Sequence, residues 1–423
     1  MEDKQHGHLM DEIELINVST ATKNILTVNG GSSSIKFALF DSGIYPRLIV
    51  RGEIERIGTA GATFSTHTAG EDRKPAQPVV VTDQTAAVTL LVDWLRSRQS
   101  GGEAGLLAIA HRVVHGGPKY HQPQRLTPAL LMALRQLIPL DPLHMPGEIL
   151  LMEAFAGHYP NVPQVVCFDT AFHHDLPRVA RMLAIPRRYH VKGVRRYGFH
   201  GLSYQFLMSE LRRIDVPAAS GRIILAHLGN GASLAAVHNG KPIDTSMGFT
   251  PASGVPMGTR SGDIDPGLAG YLARSEGMDA TKFEEMVNSQ SGLLGLSETS
   301  GDMRELLLRE KDDARAADAV ALFCYQIKKW IGAFAAALGG VDTLVFSGGI
   351  GEKAPAVRLR ICAGLDFLGI ALDPVRNAGN DPLISSVSAR VKVRVIPTFE
   401  ELVMARAVLL MPGITATTAE TET

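Results

Sequence analysis

Two glycine-rich polar segments carry the chemistry most directly legible in this chain. The first, Asn29-Gly30-Gly31-Ser32-Ser33-Ser34-Ile35-Lys36, combines glycines that let a backbone approach a ligand, serine hydroxyls that donate hydrogen bonds, and the fixed charge of Lys36. Such a loop suits phosphate, with Ser32, Ser34 and Lys36 as its donors. It is not a Walker A loop, because no G-x-x-x-x-G-K-[ST] string occurs and the chain continues as a strand instead of a helix. A single example would more often be an ordinary Gly/Ser hairpin turn. The second segment, His227-Leu228-Gly229-Asn230-Gly231-Ala232-Ser233, repeats the design in the other half of the chain, and Ser347-Gly348-Gly349-Ile350-Gly351-Glu352 adds a third glycine cluster. Three such segments together favour nucleotide phosphate.

The flanking residues indicate what positions these loops. Residues 24–28 and 35–40 alternate and are rich in β-branched types, which predicts a strand, a tight loop and a second strand. Residues 222–228 and 232–238 predict the same unit, followed by an Asn239-Gly240 hairpin turn, so the chain contains an internal repeat. Residues 106–114, 164–168 and 342–347 read as buried strands, the second ending at Asp169. Helices are predicted from a cap at Thr82 or Asp83 to about Arg98, from about Met145 with Pro146 in its first turn to about Ala156, and over residues 316–338. The polar stretch Gly58 to Pro78 reads as a hairpin or surface excursion. Strands and helices repeated across two halves predict a duplicated α/β fold with the ligand in the cleft between two domains.

Composition bounds the reading. A chain of 423 residues with 45% hydrophobic content can bury sizeable cores, and Lys+Arg 42 against Asp+Glu 43 leaves no bulk field for nucleic acid or membrane. Any anion site is therefore local. Cys167, Cys324 and Cys362 lie far apart without a C-x-x-C, which argues against a disulfide framework and a structural zinc site and points to a reducing, cytoplasmic setting. Residues 1–23 read as a loose extension, neither signal nor membrane anchor, and the Thr-rich end 413–423 as a flexible tail.

Paired Gly/Ser hairpins with a third glycine-rich strand-to-helix turn form the pattern of the duplicated, ribonuclease H-like ATPase fold of sugar kinases, actin and Hsp70. Within that superfamily, known as ASKHA, the chain resembles the acetate kinase family from about Asn24 to Leu410. The resemblance rests on motifs in the family's order: the Asn29 to Lys36 loop, His111-Arg112-Val-Val-His115-Gly-Gly, Pro142-Leu-His144, Phe168-Asp169-Thr-Ala-Phe-His173 and Tyr197-Gly-Phe-His200-Gly. It continues through His227-Leu-Gly-Asn230-Gly, Met257-Gly-Thr-Arg260-Ser-Gly-Asp263, Gly301-Asp302-Met-Arg304, Gly348-Gly-Ile-Gly-Glu352 and Thr398-Phe-Glu400-Glu401. Any one motif is weak; the ordered set is specific.

The resemblance implies a reversible, direct in-line transfer of the ATP γ-phosphoryl group to acetate, giving acetyl phosphate and ADP. A propionate or butyrate kinase is the alternative of the same family, and an inactive nucleotide-binding scaffold the alternative of another class. It implies that Arg112 contacts the acyl carboxylate, that Arg260 and His200 stabilise the transition state, and that Asp169 works with metal-bound water or with Arg112. Because a carboxylate substrate needs no base near neutral pH, Asp169 reads better as an orienting group. Val114, Phe199 and Pro251 match the acyl pocket. The nucleotide positions are Ser32, Ser34 and Lys36, then His227, Leu228, Gly229, Asn230 and Gly231, then Asp302, Met303 and Arg304, and finally Gly349, Ile350, Gly351, Glu352 and Lys353. Asn29 and Glu400 match the family's Mg²⁺ (or Mn²⁺) positions, few protein oxygens sufficing for an ion that keeps its waters. A homodimer is also implied. Residues 24–169 with 402–412 are expected to form one domain and 170–401 the nucleotide-binding other.

Three positions depart from the family pattern. Phe399 stands where Asn or Asp is usual beside the metal glutamate, Met145 where Asn usually follows Pro-Leu-His, and Pro251-Ala-Ser-Gly-Val-Pro256 where Pro-Leu-Glu-Gly is common. The first bears on the surroundings of the metal, the second on the helix start that positions His144, and the third on the mouth of the acyl pocket.

Overall fold

The structure is a computed structural model that describes residues 23–31, 33–72, 75–98 and 105–414. Ser32, nearly all of the 1–23 extension and the tail from residue 415 lie outside the described residues.

Two sheets organise the chain. Strands β1 (Asn24–Gly30), β2 (Ser34–Asp41), β3 (Leu48–Glu55), β4 (Thr63–Thr68), β5 (Gln77–Pro78), β6 (Leu106–Val113), β7 (Gln124–Arg125) and β8 (Gln164–Phe168) form the first, in the order β5-β4-β3-β2-β1-β6-β8-β7. Strands β9 (Arg222–Leu228), β10 (Ala232–His238), β11 (Lys241–Thr245), β12 (Thr343–Ser347) and β13 (Lys392–Val395) form the second, in the order β11-β10-β9-β12-β13. The repeat seen in sequence is thereby a repeat of topology. In each sheet a central strand pairs antiparallel with a hairpin partner (β1 with β2, β9 with β10) and parallel with a later strand (β6, β12), which has another parallel neighbour beyond it (β8, β13). β1 and β9 even share one burial pattern, buried on both faces as parallel-sheet strands covered by helices must be. This is the duplicated, two-domain actin-like fold.

The stretch Gly58–Pro78 does more than make an excursion: β4 and β5 extend the first sheet by two antiparallel edge strands. Asp83 caps the following helix Gln84–Arg98, its Oδ1 accepting the Ala86 N–H at 2.9 Å. The long helix Ala314–Leu338 starts at Asp313, which accepts from the Arg315 N–H, and ends at Gly339 in the left-handed region (φ 69°). Its buried Ala316, Val320, Phe323, Ile327, Ile331 and Phe334 recur at three- and four-residue spacing and form a core stripe against the second sheet. Among the described residues no helix is long and apolar enough to cross a membrane.

The C-terminal helix Glu400–Leu409 returns to the first sheet, where Met404, Ala405 and Val408 pack on Ile25, Phe40, Ala108 and Val165. Ile414, assigned from sequence to a loose tail, is 3% exposed and belongs to that same apolar cluster. A larger cluster runs without a break from Val113, Val114 and Phe168 through Phe199 to Ala226 and Leu228, so the two sheets meet at the ends of their central strands. The polar loops gather at that meeting place.

Candidate active site

Parallel pairing of β6 with β8 sets Arg112 opposite Cys167 and Val113 opposite Phe168, so Arg112 and Asp169 emerge side by side at the carboxyl ends of neighbouring strands. Asp169 Oδ2 takes Arg112 Nη2 at 2.8 Å and the His200 backbone N–H at 3.0 Å. Its other oxygen, Oδ1, is buried and has no hydrogen-bond partner among the described residues. Asp169 therefore orients two groups at once. Burial opposes the charge on Arg112, but the carboxylates of Asp169, Glu148 and Glu400 outweigh it and hold the guanidinium firmly protonated.

His200 sits in the left-handed region (φ 58°), unusual for a non-glycine residue and a form of strain found where surroundings over-determine the backbone. Here they do: the Gly201 N–H donates to Asp169 O at 2.8 Å, and a Cβ on Gly201 would collide with that same carbonyl. The ring is fixed as well. Nδ1 is hydrogen-bonded to Ser233 Oγ at 2.8 Å, Ser233 in turn to Tyr204 OH at 2.5 Å, and the ring stacks on His227 with centroids 4.4 Å apart. His227 is held through Ser203 Oγ, 2.8 Å from its Nδ1, which also meets Thr398 Oγ1 at 2.9 Å. Burial first, then the nearby His227, Arg260 and Arg112, push the His200 pKa well below its ordinary value. The ligand-free ring is neutral at neutral pH, leaving Nε2 free to meet a ligand. In imidazole ¹⁵N NMR its resonances are expected to stay those of a neutral ring through the pH range in which an ordinary imidazole titrates; a normal titration there would contradict this geometry.

From the second sheet, the β9–β10 loop places Gly231 against this group: a methyl on Gly231 would lie 3.2 Å from His200 Nε2 and 3.6 Å from Arg260 Nη1. The bare glycine thus opens the space that the two side chains share. Arg260 Nη1 donates to Pro251 O at 3.2 Å, and among the described residues Arg260 has no carboxylate partner. Desolvation, reinforced by Arg112, outweighs the pull of Asp141 and lowers its pKa. The Gly258 N–H donates to Asn230 O at 3.0 Å, and a Cβ on Gly301 would come within 2.8 Å of Gly258 O, so the loops carrying Asn230, Arg260 and Asp302 interlock.

The remaining nucleotide positions divide by what their side chains do. Asp302 caps the helix Met303–Arg309 and pairs with Arg304, whose side chain is 88% exposed, while Met303 is buried in the core and can offer only its backbone. Glu352 turns inward, its Oε1 accepting the Gly348 N–H at 2.9 Å and the Thr398 N–H at 3.2 Å. Gly349 is open, with nothing within 4 Å of an added Cβ, and the Gly229 position lies 4.0 Å from its N. Arg358 pins Gly351 O and Glu352 O from beneath, at 2.8 and 3.0 Å. Ile350 packs against the core, and Lys353 ends the short helix Gly348–Lys353. On the first sheet, Asn29 and Lys36 face each other across the β1–β2 register.

Glu400 opens the C-terminal helix beside this group. Burial, and then the Asp169 charge, raise its pKa against the pull of Arg112. Among the described residues no three His, Cys, Asp or Glu side chains are arranged to enclose a metal. Glu400, Asn29 and the unpartnered Asp169 Oδ1 nevertheless fit a hard cation that keeps its waters and takes phosphate oxygens, because negative charge is in surplus around Arg112.

Val114, Phe199 and Pro251 are all buried, and the His115 ring stands edge-on to Tyr197 and Phe199, 4.3 and 5.7 Å between centroids. The departures at Phe399 and Met145 leave the site intact. Phe399 turns away into the apolar cluster, 5.6 Å from the Phe40 ring and under the Arg51 guanidinium. Met145 is fully buried, and Asp141 sets the helix start instead, its Oδ1 accepting from the His144 N–H and lying 2.8 Å from His144 Nδ1. Sequence reasoning missed Glu148, Ser233, Tyr204 and Asp141. Glu148 reads as a routine first-turn helix acid, and only the fold brings it behind Arg112.

Comparison with known proteins agrees with this arrangement. The model of the acetokinase family matches residues 24–406. An acetate kinase of Rhodopseudomonas palustris is 43% identical over 390 residues, 91% of this chain and 97% of that relative. The crystal structure of Porphyromonas gingivalis acetate kinase superposes with a TM-score of 0.81 at 37% identity, covering 91% of this chain and 98% of that one. A propionate kinase from Francisella tularensis gives a TM-score of 0.85 at 35% identity, with the same coverages of 91% and 98%. On its sequence, fold and site together, this chain belongs to the acetokinase family.

Proposed function

We propose that the chain transfers the γ-phosphoryl group of ATP reversibly to acetate. In this reading an acetate oxygen attacks the γ-phosphorus in line; the new P–O bond forms as the bond to the β–γ bridging oxygen breaks, and ADP leaves with that electron pair. Two anions must meet, so the task of the protein is neutralisation and alignment. Arg112 takes the acid carboxylate, and Val114, Phe199 and Pro251 enclose its methyl group. Arg260 and His200 Nε2 meet the equatorial oxygens of the group in flight. The loops at Ser32, Ser34 and Lys36 and at 227–231 hold the phosphates from opposite walls, while 302–304 and 349–353 border the rest of the nucleotide. Bound at Asn29 and Glu400, Mg²⁺ would neutralise phosphate charge.

The observation that carries the reading is Arg260: a half-buried guanidinium that no carboxylate among the described residues contacts, facing the same space as His200 Nε2. A partly desolvated cation in that position is costly unless an anion comes to it. The division into residues 24–169 with 402–412 and residues 170–401 lets the two halves close on the substrates and exclude water. Three buried free thiols suit a reducing cytoplasm, and a homodimer is the expected assembly.

The test is ADP formation from MgATP with acetate, propionate, butyrate or no acid, hydroxylamine trapping the acyl phosphate as hydroxamate. Fastest hydroxamate formation with acetate is expected. Propionate is the second reading, favoured by the changed Pro251–Pro256 loop; one methylene changes kcat/KM by about 10- to 200-fold. Acid-independent turnover, or none, would support the inactive scaffold and contradict both.

A further inference from the structure

Glu148, behind Arg112, touches neither reactant in the proposed transfer, yet its position is specific. It lies in the first turn of the helix Met145–His158, is 3% exposed, and directs both oxygens at the end of β6. Oε1 lies 3.4 Å from Arg112 Nη1, and Oε2 accepts the Val114 N–H at 2.9 Å. Asp169 holds the other nitrogen of the same guanidinium, Nη2. One buried acid therefore ties together the group assigned to the substrate carboxylate and the backbone of the residue assigned to its methyl pocket.

We propose that Glu148 is a positioning residue that governs acid-substrate affinity: it fixes Arg112 against β6 and, when ionised, competes with the substrate carboxylate for Nη1. This rests on the reading of Arg112 as the acid-binding group. Facing Glu148 are Arg112 from β6, Asp169 from the end of β8 and Asp141 from the turn before its own helix, with Glu400 on the C-terminal helix also acting on Arg112. Arg260 approaches the Asp141 and Arg112 side from the second sheet. Burial, opposed by Arg112 and the Val114 N–H and aided by Asp141 and Asp169, pushes the Glu148 carboxyl up to about 8. Below that pH the side chain carries a proton and leaves Nη1 to the substrate. Above it, the carboxylate pairs with Arg112 and repels a second anion, while the substrate acid stays ionised throughout.

The experiment is the pH dependence of KM for acetate and for MgATP in the wild type, Glu148→Gln and Glu148→Asp. If only the protonated form admits the acid, wild-type KM for acetate rises about tenfold from about pH 7 to about pH 9, with KM for MgATP changing less than about twofold. Glu148→Gln is expected to flatten the acetate profile, and Glu148→Asp, still titratable, to restore a rise. A flat wild-type profile overturns the proposal without need of any variant, as does a rise that persists in Glu148→Gln or one equal for both substrates. Absence of acid-dependent hydroxamate in the wild type overturns the parent reading as well, so the two failures are distinguishable.

Discussion

Replacing Arg260 with alanine is expected to lower kcat by about 10²- to 10³-fold, the loss typical of removing one preorganised donor to a charge-developing group. The same substitution is expected to leave the unfolding temperature unchanged or higher. Both follow from one observation: Arg260 is half-buried, its Nη1 meets the Pro251 carbonyl and the Met257 sulfur, no carboxylate among the described residues contacts it, and desolvation outweighs the more distant pull of Asp141. Removing such a cation relieves an uncompensated desolvation cost, so activity and stability move in opposite directions. On the proposed function lysine should not substitute well, because a point charge cannot reproduce the planar fork that would meet two phosphoryl oxygens. Steady-state kinetics and thermal unfolding check the pair of results, and a near-normal kcat would remove Arg260 from the transition state.

Arg112→Ala is expected to show the opposite thermodynamic signature with an equally severe loss of activity. Arg112 is 16% exposed at its side chain and balances Asp169 at 2.8 Å and Glu148 at 3.4 Å, with Glu400 nearby. Deleting it leaves the buried Asp169 carboxylate without its 2.8 Å partner, and Glu148 without one where it ionises, a change that costs about 3–5 kcal/mol when one partner of a buried pair is removed. The sign of the pH dependence follows. Arg112 pulls the Glu148 carboxyl down to about 8, so without the guanidinium Glu148 ionises only at higher pH, and the stability deficit is larger above about pH 8 than at neutral pH. Thermal unfolding at several pH values checks this. A deficit that does not grow above about pH 8 would mean that Glu148 does not depend on Arg112 for its charge.

The two variants separate roles that the sequence alone leaves alike. Arg112 and Arg260 each occur in a short motif, and nothing in residue type distinguishes a paired arginine from an unpaired one. The hairpin loops were legible because glycine, serine and alternating β-branched residues act locally, and their repetition announced the duplicated topology that β1–β2 and β9–β10 display. The helix from Gln84 was legible for the same reason, its Asp83 cap being a local signal.

What escaped depends on contacts between distant segments. Glu148 reaches Arg112 across 36 positions because β6 and β8 are parallel and the intervening helix packs behind them. Ser233 and Tyr204, which fix the His200 ring, come from the other sheet and from the helix after His200. The left-handed backbone of His200 carries no residue-type signal either, since histidine is not glycine; a bare Gly201 packed on the Asp169 carbonyl is its local correlate. Phe399 looked like an intrusion beside Glu400, but the Phe40 ring and Arg51 show where an aromatic belongs there.

On the proposed function the site aligns and neutralises two anions without lending a nucleophile of its own. His200 Nε2, Glu400 and Asp169 are the groups that could accept phosphate instead; in the proposed transfer His200 Nε2 meets the phosphoryl oxygens only through a hydrogen bond, and the two acids orient groups and balance charge. The direct measurement is the configuration of the transferred group after turnover of ATP made chiral at the γ-phosphorus with oxygen isotopes. Inversion, the outcome of a single in-line displacement onto the carboxylate, is predicted; net retention would show that the phosphoryl group passes through a covalent intermediate on the protein and would contradict the account.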